Sequence, residues 1–71
     1  MFGERLKEAR RKKNYTQVKV ALLLDTTHAT ISRYETNKLE PSIEMLQKLC
    51  ALYQVSADYI IGLTNDINKE V

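Results

Sequence analysis

The segment TTHATISRYETN, residues 26–37, carries an unusual set of polar side chains at helical spacing. His28 and Ser32 are four residues apart. Ala29 and Arg33 repeat that spacing, so a helix would project both pairs from one side. A solvated helix face usually carries Glu and Lys pairs. This stripe instead offers an imidazole, a methyl, a hydroxyl and a guanidinium, which suits hydrogen bonding and van der Waals contact with a ligand surface.

The sequence lacks the side-chain combinations that enzymes and metal sites require. Cys50 is the only cysteine and His28 the only histidine, which excludes an intrachain disulfide and a cluster of zinc ligands. We recognise no carboxylate pair, no nucleophile beside a base and no glycine-rich phosphate loop. Cys50 has the spacing of a small buried hydrophobe rather than that of a nucleophile. We therefore expect no enzymatic activity, no metal and no cofactor.

Charge is divided unevenly along the 71 residues. Residues 1–38 hold nine Lys or Arg against four Asp or Glu, a balance of +5, whereas residues 39–71 hold two against five, a balance of −3. A polyanion would meet the basic half first, and Arg11, Lys12 and Lys13 would contribute long-range steering.

The chain length indicates one domain with a small core, worth about 3–5 kcal/mol of net stability. The charged start MFGERLKEARRKK does not fit a signal peptide, and the apolar run VKVALLL is too short to cross a bilayer. We therefore expect a cytoplasmic protein with no membrane partner.

Helical periodicity predicts five helices and no strands. The first covers residues 2–13, the second covers residues 17–24, and the third runs from the cap Thr27 to Glu35 or Thr36. Further starts are expected at Thr16, Ser42 and Ser56, with Gly62 closing the fifth helix. The residues expected to pack inward are Phe2, Leu6, Ala9, Val20, Ala21, Leu24, Ile43, Leu46, Leu49, Cys50 and Leu52 or Tyr53.

The ends of the first three predicted helices share one residue class. Asn14, Asp25 and Asn37 stand there, and Asn and Asp are the residues other than glycine that most readily adopt the left-handed conformation. We expect sharp, fixed corners at these positions. Gln54, after the fourth helix, does not follow this rule.

The stretch TQVKVALLLDTTHATISRYETNKLEPS resembles the helix-turn-helix of the lambda repressor-like, Cro-type DNA-binding family. The resemblance covers about residues 2–63 and implies an all-α, compact five-helix DNA-binding domain, followed by a polar tail over residues 64–71 that we expect to fray. The family often has glycine at the three corners and acidic or polar residues where this chain has Val18 and Lys19. The matching positions are Leu6, Arg10, Thr16-Gln17, Ala21, TISRYE, Pro41-Ser42 and VSADYIIG.

The resemblance implies a sequence-specific, double-stranded DNA-binding transcriptional regulator, a repressor, that reads the major groove with residues 27–36. Arg33 can grip guanine with two hydrogen bonds and Ala29 can touch a thymine methyl. His28 or Ser32 can bond to several base edges. In the family, residues matching Arg10 and Glu35 form a structural ion pair, here with a spare guanidinium edge for phosphate. Phosphate contacts are expected from Gln17, Lys19, Thr27, Thr30, Asn37 through its backbone, and Lys38.

Two further surfaces are predicted to contact proteins. A homodimer on a near-palindromic operator is expected to pair through the C-terminal region, part of which must be core. Val18 and Leu22 lie one turn apart on the outer face of the second helix and form a candidate protein-contact face, with incidental exposure as the alternative. The candidate dimer surface comprises Tyr53, Tyr59, Ile60, Ile61 and Leu63.

The alternative function is an antitoxin-type protein-binding module that also regulates its own operon. That module would use its tail and the face at Val18 and Leu22 to contact a toxin. An RNA binder is disfavoured, because the aromatic residues that would stack on bases are not clustered on one face.

Overall fold

The computed structural model describes residues 2–68, and within them the chain forms five α-helices and no strand. The all-α, five-helix prediction is confirmed, with the helix ends within two residues of the expected positions. The helices are α1 Gly3–Lys12, α2 Gln17–Leu23, α3 His28–Glu35, α4 Ile43–Tyr53 and α5 Ala57–Ile60.

Side-chain oxygens cap the N-termini of α2, α3, α4 and α5. In each case a Thr or Ser hydroxyl accepts the backbone N–H three residues further on, which satisfies one donor that the helix itself cannot pair. Such a cap is typically worth about 1 kcal/mol. The donors and acceptors of the four bonds are Lys19 N–H to Thr16 at 3.0 Å, Thr30 N–H to Thr27 at 3.1 Å, Met45 N–H to Ser42 at 3.0 Å and Tyr59 N–H to Ser56 at 3.1 Å.

One core gathers apolar side chains from all five helices. Phe2, Leu24, Leu46 and Cys50 line its margin and are partly buried. Burial raises the pKa of the Cys50 thiol, which keeps this sulfur protonated and unreactive. The buried apolar residues are Leu6, Ala9, Val20, Ala21, Ile31, Tyr34, Leu49, Tyr53, Tyr59 and Ile60.

The prediction that Ile43 packs inward is wrong. Its side chain is 78% exposed, although it shares a helical spacing with the buried Leu49 and the partly buried Leu46. Ile43 is the first residue of α4, immediately after the cap Ser42, and in this turn Met45 and Leu46 are the residues that pack against the core. Spacing alone cannot show where along a helix the neighbouring elements end.

The segment after α5 packs against the domain as far as it is described. Arg5 of α1 donates from Nη1 to the carbonyls of Tyr59 and Thr64, at 2.7 and 2.6 Å, and from Nη2 to Asn65 Oδ1 at 2.8 Å. Ile67 packs against the core, and its carbonyl accepts the N–H of Ser56 at 2.9 Å. The expected fraying is therefore wrong for residues 64–68, and residues 69–71 of the predicted tail lie outside the described residues.

All three predicted left-handed corners are confirmed. Asn14, Asp25 and Asn37 have φ angles of 59°, 54° and 62°. Gln54 has a φ of 57°, so the end of α4 uses the same geometry without the short side chain that makes it easy for Asn or Asp. The left-handed conformation costs an ordinary residue about 1–2 kcal/mol. Gln54 is therefore the corner with the most local strain to relieve.

Replacing Gln54 with glycine is expected to raise the free energy of unfolding by about 1 kcal/mol, because glycine adopts a positive φ without steric penalty. The substitution also removes an exposed hydrogen bond from Lys13 Nζ to Gln54 Oε1, a small loss for a contact in solvent. Urea unfolding followed by circular dichroism measures the change.

The matched control is Gln47→Gly, an exposed position inside α4. Glycine there should lower stability by roughly 1 kcal/mol through its poor helix propensity. If both substitutions destabilise the domain equally, the strain assigned to Gln54 does not exist.

Candidate nucleic-acid interface

Helices α2 and α3 are joined by a tight turn that holds them at a fixed angle. Asp25 adopts the left-handed conformation, and the Thr26 N–H donates to the Ala21 carbonyl at 2.9 Å. Val20 of α2 and Ile31 of α3 are fully buried in the same core. With one face of each helix fixed inward, the opposite side of α3 is left at the surface.

The four predicted base-reading residues lie on this outer side of α3. His28, Ala29 and Arg33 are exposed, and Ser32 is half-buried. The backbone carbonyl of Ser32 accepts the N–H of Thr36 at 3.0 Å. No acidic side chain belongs to the stripe, so a polyanion could approach it without charge repulsion.

A buried ion pair ties α1 to the end of α3. Arg10 Nε donates to Glu35 Oε2 at 2.7 Å and Arg10 Nη2 donates to Oε1 at 3.0 Å, with side chains only 10% and 3% exposed. The hydrogen bonds to Glu35 raise the pKa of the Arg10 guanidinium. The structural pairing is confirmed. The expected spare edge for phosphate is not, because Nη1 donates to the Tyr15 carbonyl at 2.8 Å and the side chain is buried.

Gln17 links this ion pair to the stripe on the outer side of α3. Gln17 Nε2 donates to Glu35 Oε1 at 3.0 Å, and Gln17 Oε1 lies 2.7 Å from His28 Nε2. Gln17 and His28 are the first residues of α2 and α3. Sequence reasoning placed one at phosphate and the other at a base and missed their contact. Both residues begin short, consecutive helices, and this shared position was the sequence signal that could have indicated the contact.

Gly3 is a second residue that sequence reasoning missed. A Cβ at this position would lie 2.6 Å from the carbonyl oxygens of both Tyr34 and Glu35, so the start of α1 can approach the end of α3 only with glycine there. The Gly3 N–H donates to Asn37 Oδ1 at 2.9 Å. This close approach is a long-range contact that no local pattern announces.

The predicted phosphate contact through the Asn37 backbone is not supported. Its N–H donates to the Tyr34 carbonyl at 3.4 Å, and its Oδ1 is taken by Gly3. The Asn37 side-chain Nδ2 is the donor that this residue can still offer an anion.

The remaining predicted phosphate contacts keep polar or charged groups at or near the surface. Lys19 and Lys38 are exposed, and Gln17 is half-buried with one amide hydrogen beyond the one given to Glu35. Thr27 is exposed and Thr30 half-buried, and their hydroxyl oxygens lie 2.8 Å apart. Their contact with phosphate stays a prediction.

The predicted dimer surface divides into core and exposed residues. Tyr53, Tyr59 and Ile60 are at most 6% exposed within a single chain, so they belong to the core and cannot form an external patch. The Tyr59 hydroxyl donates to Glu8, and its ring lies under the Arg5 guanidinium at 4.5 Å. Ile61 and Leu63 remain exposed, at 46% and 65%.

The two apolar residues assigned to a protein-contact face are both at the surface. Val18 is 60% exposed and Leu22 is 76% exposed. They lie one turn apart on α2, on the side away from the buried Val20 and Ala21.

Residues 2–68 contain neither a cluster of metal ligands nor a helix that could span a membrane. This part of the chain brings together no three His, Cys, Asp or Glu side chains that could hold a metal ion. Its longest helix, α4, has 11 residues, and none of its helices is long and apolar enough to cross a membrane.

The sequence of this chain is similar to those of helix-turn-helix transcriptional regulators. A family model described as helix-turn-helix matches residues 6–60. The HTH-type transcriptional regulator ImmR of Bacillus subtilis (strain 168) is 45% identical over 69 residues, which cover 97% of this chain and 54% of ImmR. The SPbeta prophage-derived uncharacterized HTH-type transcriptional regulator YonR, from the same strain, is 41% identical over 65 residues, 92% of this chain and 60% of YonR.

A more distant match is the HTH-type transcriptional regulator PuuR of Escherichia coli (strain K12), 41% identical over 54 residues, 76% of this chain and 29% of PuuR. The chain thus spans little more than half the length of ImmR and YonR.

Replacing Arg10 with alanine is expected to unfold most of the domain. Removing one partner of a buried ion pair costs about 3–5 kcal/mol, because the other charge is left buried and unpaired. A core of this size supplies about that much net stability. Far-UV circular dichroism with urea titration measures the loss.

Arg11→Ala is the control, because Arg11 is exposed on the same helix. It should change stability by no more than about 0.5 kcal/mol. If Arg10→Ala unfolds cooperatively and its free energy of unfolding is within about 1 kcal/mol of the parent value, the loss is no larger than that of an exposed contact. That result would show that the pair does not hold the helices together.

Proposed function

Since this chain belongs to the lambda repressor-like helix-turn-helix family, we propose that it is a sequence-specific DNA-binding transcriptional regulator that acts as a repressor. The observation that carries the proposal is the outward stripe of His28, Ala29, Ser32 and Arg33 on α3. The stripe has no acidic side chain and is fixed by the buried packing of α2 against α3.

The stripe matches the chemistry of the major groove. Arg33 is exposed and long enough to form two hydrogen bonds with the O6 and N7 acceptors of guanine, the commonest specific contact. Ala29 offers its methyl group to a thymine methyl, while Ser32 and His28 supply shorter polar contacts. Arg33 therefore contributes most to discrimination between base pairs, and its neighbours refine it.

Phosphate contacts on both sides of α3 would orient the stripe in the groove. The second amide hydrogen of Gln17, the Asn37 Nδ2 and the ammonium groups of Lys19 and Lys38 are the donors for these contacts. Such contacts fix position without reading sequence, and their strength falls as salt rises. Thr27 and Thr30 lie at the start of α3, where its partial positive charge also favours phosphate.

Repression follows most simply from occupancy. A domain seated in the major groove denies that stretch of DNA to the transcription machinery, which requires no further activity of the chain. If the chain is bacterial, as the relatives that it resembles are, the proposed role would be carried out in the cytoplasm.

A homodimer would let the domain address two half-sites. The exposed Ile61 and Leu63 follow α5 and form the apolar patch we assign to pairing. The domain measures 31 × 22 × 19 Å, comparable with the roughly 34 Å that separates successive major-groove faces. A two-fold pair would therefore read a near-palindromic operator.

Val18 and Leu22 support a second protein contact, independent of pairing. Their exposure on α2 is the observation that favours a partner such as another regulator or, in the antitoxin-type alternative, a toxin. Co-purification of a partner with the parent chain, lost in Val18→Glu/Leu22→Glu, would favour that alternative.

Arg33→Ala is expected to abolish preference at one base position of the operator, because one bidentate contact, worth about 1–3 kcal/mol, is removed. Selection of bound sequences from random duplex DNA at a stated salt concentration, with parent and variant in parallel, measures the preference.

Lys38→Ala serves as the matched control, since Lys38 is also an exposed basic residue. It should weaken binding to all sequences about equally and reduce the salt slope by roughly one phosphate contact. Recovery of no preferred sequence by the parent contradicts the proposed function. An unchanged preference in Arg33→Ala removes Arg33 as a base reader.

Ile61→Glu/Leu63→Glu is expected to convert the dimer to a monomer, because two carboxylates would replace the apolar contact at the two-fold axis. Equilibrium sedimentation, with and without the selected duplex, measures the association. Val18→Glu/Leu22→Glu carries the same change on another face and should still dimerise. A parent chain that remains monomeric both alone and on the operator contradicts the assignment.

A further inference from the structure

We infer that Gln17 fixes the tautomer of His28, so that this ring reads an amino group, N4 of cytosine or N6 of adenine, at one position of the operator. This assignment rests on the proposed function and deepens it. It limits the bases that His28 can contact to those with an amino group, whereas an imidazole of unspecified tautomer could bond to any base. It follows from four hydrogen bonds that run outward from the core.

The first step is the carboxylate of Glu35. Its side chain is only 3% exposed, and the guanidinium of Arg10 donates to both of its oxygens. An ionised carboxylate can only accept hydrogen bonds. Any further group that bonds to Glu35 must therefore be a donor.

The second step is the amide of Gln17. The Gln17 group that lies 3.0 Å from Glu35 Oε1 must be the NH₂, because an amide oxygen there would face a second acceptor. The orientation of an amide is assigned from such partners. With Nε2 directed to Glu35, Oε1 is the atom that faces His28, at 2.7 Å.

The third step is the imidazole. Since Gln17 Oε1 can only accept, His28 Nε2 must carry the hydrogen and donate it. In the neutral ring the other nitrogen, Nδ1, is then an acceptor. Within residues 2–68 the one hydrogen bond of the His28 ring is that of Nε2, and the residue is exposed at the start of α3, so Nδ1 has no partner there and can accept a hydrogen bond from DNA in the proposed complex.

Each base exposes its own set of hydrogen-bond donors and acceptors in the major groove. Adenine presents N6–H₂ and cytosine presents N4–H₂, whereas the O6 and N7 of guanine and the O4 of thymine are acceptors. An acceptor on His28 therefore pairs with adenine or cytosine on the contacted strand and is repelled by guanine or thymine. The buried ion pair thus selects a base that it never touches.

The first arm of the test examines the free protein. Nitrogen-15 NMR of the histidine ring, at a mildly alkaline pH where imidazole is neutral, should show the proton on Nε2 and a bare Nδ1. Gln17→Met keeps the side-chain length but removes the amide. It should increase the fraction of molecules with the proton on Nδ1, and an unchanged fraction would overturn the role of Gln17.

The second arm uses duplex DNA selected from a random pool at the same pH. The base position whose preference disappears in His28→Ala should be adenine or cytosine in the parent selection. Unsubstituted purine in place of that adenine, or 2-pyrimidinone in place of that cytosine, removes the amino group alone. The parent should bind the amino-free duplex about two- to tenfold more weakly than the unmodified duplex, because one hydrogen bond is missing. His28→Ala, which cannot form that bond, should show a smaller loss between the same two duplexes.

Two controls isolate this contact. Arg33→Ala should keep the discrimination between the amino and amino-free duplexes. Gln17→Met should reduce it, and the ratio of the two affinities is the readout because Gln17 also contacts phosphate in the proposed complex.

The assignment is overturned if the selected base at the His28 position is guanine or thymine, or if removal of the amino group causes no loss of affinity. The proposed function survives that result as long as the preference that depends on Arg33 is still observed. If the pool yields no preferred sequence at all, the proposed function and this assignment both fail.

Discussion

The buried ion pair between Arg10 and Glu35 is the interaction on which the geometry of this domain depends. It joins the last turn of α1 to the last residue of α3, and Gln17 brings the start of α2 to the same carboxylate. Burying two charges adds little net stability, because desolvation offsets most of the attraction. The ion pair instead fixes geometry. Arg10 and Gln17 both donate hydrogen bonds to the buried Glu35 carboxylate, and these directed contacts specify how the three helices are arranged.

This constraint holds the first three helices of a small domain in one rigid arrangement. The left-handed corners at Asn14, Asp25 and Asn37 fix where each of the first three helices stops, and the ion pair fixes how those helices meet. A stripe held in place before DNA arrives loses less entropy on binding than a flexible one. In the proposed complex, the side chains on the outer side of α3 can therefore be short, as Ala29 and Ser32 are, because the fixed helices bring them to the DNA.

Most of the fold could be predicted because its signals are local. Caps such as Thr16 and Ser42 lie within three residues of the groups they satisfy, and the corner residues express their own backbone preference. The errors all concern contacts between distant parts of the chain. Ile43 has the right spacing but no neighbour to cover it, and the segment at Ile67 is polar in sequence yet is held by α1 and the start of α5.

The candidate site was only partly predictable for the same reason. The types and spacing of the α3 stripe were readable, and the pairing of Arg10 with Glu35 followed from the family resemblance. The bond between Gln17 and His28 was not, because it depends on the angle between two helices. That angle is what decides whether the stripe enters a groove. NMR of the labelled chain bound to its selected duplex tests this angle most directly, and we expect intermolecular contacts from residues 28, 29, 32 and 33 to major-groove base protons. Contacts to DNA from α4 or α5 instead, or from the minor groove, would contradict it.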